Sequence, residues 1–270
     1  RMIHFIEQIK GIKGTQAVGI DMHFNGNTGF SANIAFLKMS GSDVRLTKRI
    51  TEVDSFTAIK ESVPPSMPVC LTIDGKGIIY KKVELDENRS LISHVLPNAP
   101  EKDFYVFQYP ARESQTFLAA VRKQQIEEIL AEFEKNGFSV VTIDLGPFPL
   151  NNLVNSIDAK EELKVKNYTL KIDEIVLEVN KETDNHPPAK YKVGSEYIET
   201  DAVLSFATGI NYFAYKSSTL SFYKSKENYL SFLYGRFIKM AGRIFLGVLF
   251  ISLMVNYFYF DHFSQKNNQL

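Results

Sequence analysis

Short runs rich in strand-forming residues, broken by turn chemistry, open the sequence. Residues 17–22, 30–39 and 43–50 read as three strands, separated by Asn25-Gly26-Asn27 and Ser40-Gly41-Ser42. Residues 54–62 read as a short helix stopped by Pro64-Pro65. Residues 69–74 and 78–83 flank Gly75-Lys76-Gly77 and predict a hairpin. A short helix follows at 91–96, then strands at 104–108 and 116–121. The clearest helical period lies at 124–135, where Ile126, Ile129, Leu130 and Phe133 share one face and Gly137 supplies the stop. A strand at 138–143 and a Pro147-led helix over 147–157 come next. Weaker strand patterns occupy 168–172, 175–179 and 191–193, and 203–213 reads as helix despite Gly209. Residues 157–165 are charged and read as a linker. The order predicts a mixed α/β chain compatible with two related halves.

The pattern changes character near the C-terminus. Residues 244–260 carry no charge for 17 positions, long enough to cross a bilayer as a helix. A core helix of a soluble protein would keep a polar stripe, whereas here only Gly247, Ser252 and Asn256 interrupt the apolar surface. Ile244, Leu246, Leu249, Leu253 and Phe260 are the expected lipid-facing residues, and Tyr257 and Tyr259 suit the headgroup region. Lys216, Lys224, Lys226, Arg236, Lys239 and Arg243 precede the segment, with Arg236, Lys239 and Arg243 nearest to it. By the positive-inside rule, everything before Ile244 is expected in the cytoplasm. Residues 229–240 read either as an interfacial helix or as the early start of one long helix. The ten residues after Phe260 are expected to begin a longer outer segment.

Charge and chemistry narrow the function classes. Acidic and basic residues balance at 31 each, so no general nucleic-acid binder is expected. The lone Cys70 lies in an apolar run and reads as a buried strand residue, outside any disulfide framework. The five histidines lack ligand spacing, and no nucleophile elbow, Walker loop or dinucleotide fingerprint occurs. Asp173 and Glu174 are strand neighbours that point to opposite faces, a poor acid–base pair. One place carries candidate chemistry. Gly19, Asp21, Gly26 and Thr28 put an aspartate at a strand end before a Gly-rich loop, a pattern that can hold Mg²⁺ and phosphate oxygens. The simpler reading of the same residues is a plain hairpin.

With these elements in order, the sequence resembles the cytoplasmic actin-like domain of the type II secretion L protein (GspL) and of the type IV pilus protein PilM. The resemblance spans residues 17–213: the opening meander, the Val69-Cys-Leu-Thr-Ile-Asp-Gly75 segment, the stretch from Phe117 through Gly137 to Pro147, and the small-residue helix from Val203. It implies an α/β actin-like ATPase (ribonuclease H-like) fold in two halves, followed by one transmembrane helix. The divisions expected are 1–157 for a first half with an inserted strand–helix–strand subdomain, 158–222 for a reduced second half, 223–243 for a basic juxtamembrane helix, 244–260 for the span, and 261–270 for the outer start.

Active members of that superfamily place Gly-Ser/Thr close behind the first aspartate. Here Asp21-Met-His-Phe24 stands instead, and Ile172-Asp173-Glu174-Ile175 lacks the glycine a second phosphate loop needs. The resemblance therefore implies a non-catalytic inner-membrane scaffold with no cofactor. It would recruit the cytoplasmic secretion or pilus ATPase and join other platform subunits and a second copy of itself. The alternatives are a membrane-tethered ATPase using Asp21 with ATP and Mg²⁺, and a bitopic signalling protein.

Overall fold

Local pattern becomes architecture through strand pairing. The computed structural model describes residues 12–26, 29–41, 43–112, 114–159, 161–182, 186–214 and 222–267. Asn27, Thr28 and Lys216 lie outside the described residues. Two units emerge: Thr15–Tyr229, and Arg1–Gly14 together with Leu230–Leu270.

In the larger unit the elements run β1 (Gln16–Phe24), β2 (Phe30–Ser40), β3 (Asp43–Val53), α1 (Phe56–Ser62), β4 (Pro68–Gly75), β5 (Ile78–Glu84), α2 (Leu91–Val95), β6 (Phe104–Pro110), β7 (Gln115–Arg122), α3 (Lys123–Lys135) and β8 (Ser139–Leu145). Then follow β9 (Glu162–Val165), β10 (Tyr168–Asp173), β11 (Ile175–Lys181), β12 (Lys190–Val193), β13 (Glu196–Glu199) and α4 (Thr200–Ala214).

The central sheet has the order β3-β2-β1-β4-β8, with an antiparallel meander joined to two parallel strands. Successive residues of β1 face opposite sides. Val18, Ile20 and Met22 share a face with Val69, Leu71 and Ile73 of β4. This apolar face is covered by α1 and α3 through the ring contacts Phe30–Phe56, at 5.1 Å, and Phe56–Phe133, at 5.4 Å. Ser55 caps α1 by accepting from the Ala58 N–H, and the predicted stripe Ile126, Ile129, Leu130, Phe133 is the buried face of α3. Cys70 is buried on the opposite side of β4, as expected.

Three expectations are corrected. The segments about Gly75-Lys76-Gly77 do not form a hairpin. β4 is already paired on both edges by β1 and β8, so β5 pairs with β7 in a separate sheet, β5-β7-β6. Gly75 and Gly77, both at positive φ, turn the chain from one sheet into the other. The Pro147-led helix shortens to a 3-10 turn, Phe148–Asn152. Asn151 accepts from the Val176 amide and Asn152 bonds Asn211, so both side chains serve other elements instead of a helix. The charged 157–165 stretch contains β9, whose Leu163 and Val165 are buried while Glu162 and Lys164 are exposed.

Strands β9, β10 and β11 make a three-stranded antiparallel sheet, and β12 pairs with β13.

The long helix α5 spans Tyr223–Asn267, 45 residues. One continuous helix is therefore the form taken, not a separate interfacial piece. At 1.5 Å per residue it is about 68 Å long. It is the one helix among the described residues long and apolar enough to cross a membrane. Ile244, Leu246, Leu249, Leu253 and Phe260 are all exposed along it. Arg236 lies on its N-terminal side, donating to the Lys13 carbonyl at 2.8 Å with its guanidinium over the Phe232 ring; Lys239 and Arg243 precede the apolar segment.

Candidate functional site

The polar face of the central sheet holds the candidate chemistry. Gly19, Asp21 and His23 share it on β1, Cys70, Thr72 and Asp74 on β4, and Thr142 and Asp144 on β8. Three strands thus carry the same pair, Ile20-Asp21, Ile73-Asp74 and Ile143-Asp144, and all three carboxylates are buried, at 1%, 2% and 6% exposure. Asp21 is not at a strand end as expected, because β1 stays paired on both edges as far as Phe24. Asp74 and Asp144 were not singled out by sequence reasoning. The recurrence of Ile-Asp in three apolar strands was the available signal.

Helix α4 lies across this face. Its Ser205, Thr208 and Asn211 are buried. The Thr208 and Thr72 hydroxyls are 2.7 Å apart, and Asn211 Nδ2 donates to Asp144 Oδ2 at 2.6 Å. Gly19 is the crossing point: a Cβ there would stand 1.9 Å from the Ser205 carbonyl oxygen and 2.5 Å from Gly209 N. Gly19 therefore serves helix–sheet contact, not phosphate approach. Gly26 sits at positive φ with open space around it, in the turn closed by the Asn25 amide donating to the Gly29 carbonyl at 3.1 Å. β1 and β2 stay paired out to Phe24 and Phe30, so this segment is a hairpin. Thr28, in the same loop, lies outside the described residues.

Each buried carboxylate has its own surroundings. At Asp144, burial pushes the carboxyl up to about 7, although hydrogen bonds from Tyr109 and Asn211 pull the other way. At Asp74, burial also acts upward. It is outweighed by hydrogen bonds from His23 and Tyr168, by the charge of Lys181 and by the Gly75 amide, which hold this carboxyl below the usual range. His23 Nδ1 is 2.9 Å from Asp74 Oδ2, and Lys181 Nζ is 3.4 Å from the same oxygen. At Asp21, burial raises the carboxyl above its ordinary value against the opposing charge of Lys166. Among the described residues, neither Asp21 oxygen accepts a directional hydrogen bond; the Lys166 ammonium lies against Oδ2 as its ion-pair partner.

Lys166 comes from the two-residue turn between β9 and β10, where Val165 pairs with Tyr168. Its backbone is left-handed, φ 54°. Both carbonyls of the turn are used: His186 N–H donates to Lys166 O at 2.7 Å and Glu182 N–H to Asn167 O at 2.8 Å. Beside it opens a cleft of about 800 Å³, lined by His23, Asn33, Lys166, His186, Thr200 and Asp201 among others. Asp173 and Glu174, expected as neighbours within one strand, are not: β10 ends at Asp173, Glu174 at positive φ makes the turn into β11, and Asp173 pairs with exposed Arg112.

At Asp21 the carboxylate is met by the Lys166 ammonium, and Gly19 two residues before it is covered by helix backbone. Among the described residues no group of three or more His, Cys, Asp or Glu is arranged to hold a metal ion.

No family model and no curated protein matches the chain. Solved structures similar to it include the following. The cytoplasmic domain of EpsL, an inner-membrane component of the type II secretion system of Vibrio cholerae, is 16% identical over 70% of this chain and 71% of that one, with a TM-score of 0.40. A Bacteroides thetaiotaomicron protein with an actin-like ATPase fold and unknown function is 14% identical over 60% and 68%, at 0.32. The PilM–PilN type IV pilus biogenesis complex gives 11% over 88% and 77%, at 0.38. These likenesses concern fold. The chain has the mixed α/β fold expected from its sequence, and one long apolar helix.

Proposed function

We propose that this chain is a non-catalytic, membrane-anchored scaffold of a type II secretion or type IV pilus-like machine. Its folded unit lies in the cytoplasm and recruits the assembly ATPase to the inner-membrane platform. The observation that carries the non-catalytic part is the Lys166 ammonium on Asp21, the aspartate that the tethered-ATPase alternative would use with Mg²⁺. The anchored part is supported by the uncharged segment 244–260 and by the cations Arg236, Lys239 and Arg243 on its N-terminal side. The machine itself is inferred from the resemblance of residues 17–213 to the L-protein and PilM group.

The test uses the full chain solubilised from membranes in mild detergent. Co-purification with the assembly ATPase of its own machine, retained through washes at high salt, is expected. Calorimetric titration with Mg-ATP is expected to give no heat of binding. Saturable Mg-ATP binding that disappears in Asp21→Ala would overturn the non-catalytic reading in favour of a tethered ATPase. Failure to retain the ATPase would overturn the recruitment.

A further inference from the structure

The lysine at the β9–β10 turn is an unusual choice. A two-residue turn position at φ 54° favours Asn or Gly, because a Cβ crowds the backbone there. Something else must hold a lysine at that position. The aliphatic stem is largely covered, its side chain being 17% exposed, and the ammonium ends on a carboxylate that is 1% exposed. An isolated carboxylate is strongly unfavourable in a dry site unless it takes up a proton or meets a cation, and Asp21 meets one. The same arrangement recurs one strand away, where Lys181 at the end of β11 reaches Asp74 on β4. Both cations come from the three-stranded sheet, and both carboxylates from the central one.

We infer that Lys166 is a tethered cation that takes the place of a metal at Asp21, and so holds the β9–β11 sheet against the central sheet with no ligand. The inference rests on the non-catalytic reading and gives it a cause. In this chain, closure is written into the sequence. Docking of a partner then meets one fixed surface, whatever the nucleotide level around it.

The experiment is a set of thermal melts of the full chain in detergent. Lys166→Gly suits the positive φ and removes only the cation and its stem. Its melting temperature is expected to fall by roughly 6–15 °C, the scale of breaking a buried pair in a unit of this size. Asp21→Asn combined with Lys166→Gly is expected to recover at least half of that loss, because the amide needs no counter-charge. In Lys166→Gly, added ethylammonium or Mg²⁺ at millimolar concentration is expected to raise the midpoint saturably; wild type and the double variant should not respond. If the single variant does not fold, the double variant must, and failure of both overturns the inference. Additive effects of the two substitutions, or a cation response that persists without Asp21, also overturn it. Mg-ATP titration of the wild type is read separately: absent coupling without nucleotide binding sinks this inference alone and leaves the scaffold standing.

Discussion

Replacing Asp144 by Asn is expected to stabilise the folded unit, and increasingly so as pH rises. Asp144 is buried beneath α4, and its carboxyl is displaced from the ordinary 3.8 to about 7. Below pH 3.8 the group is protonated whether the chain is folded or not, and it contributes no pH dependence. Between 3.8 and about 7 the unfolded chain has released the proton while the folded chain still holds it. Stability must therefore fall as pH rises through this window, by up to about 1.4 kcal/mol per unit, and level off above it. The full loss is on the order of 4 kcal/mol. Asn cannot ionise and keeps an oxygen for the Asn211 donor, so the variant lacks this slope.

Thermal unfolding of the full chain in detergent, followed by circular dichroism from pH 5 to pH 8, is the assay. The gap between variant and wild type should widen by about 3 kcal/mol across that range. For a unit of 150–250 residues this corresponds to roughly 6–12 °C in midpoint. Other titrating groups cancel in the difference. Parallel curves, offset by a constant, would refute the reasoning, because they would mean that Asp144 is charged in the folded chain throughout.

Further outcomes follow from the packing. Gly19→Ala drives a Cβ into backbone atoms of α4 and should cost about 3 kcal/mol, whereas Gly209→Ala mainly meets the Leu37 side chain, which can shift, and should cost visibly less in the same melts. Leu249→Arg puts a charge in the middle of the apolar segment, at a cost of roughly 3 kcal/mol for insertion. A larger alkali-extractable fraction of the protein in membranes checks it, and unchanged extraction would argue against a spanning helix.

The long periodic and apolar segments of this fold were legible in the sequence. The stripe on α3, the meander β1–β3 and the apolar run in α5 follow from local pattern alone, because each needs only neighbours three, two or one residues away. β9 was not legible: four residues with two charges give too short an alternation to stand out, and its partners on β10 supply the pairing. The false hairpin between β4 and β5 had correct turn chemistry but ignored competition, since β4 gives its edges to β1 and β8. At the site, Asp21 stood out as an aspartate in an apolar strand before a Gly-rich loop, although β1 runs on past it to Phe24. The feature that decides its chemistry, Lys166, is a lone lysine far along the chain, and nothing local connects the two. The segment 203–213 was read as a helix of small residues, and what that reading left out is that its Ser205, Thr208 and Asn211 form the polar stripe that the sheet face requires.

The single cysteine, buried in the middle of the central sheet between Gly19 and Thr142, has a practical corollary. A thiol reagent can reach Cys70 only when the strands around it part, so its rate of labelling times the opening of the whole sheet. With no second thiol in the chain, the readout is unambiguous and works in intact membranes. The protein thus carries its own stopwatch for unfolding, placed where the anchor, the detergent and any docked partner can be varied without touching the probe.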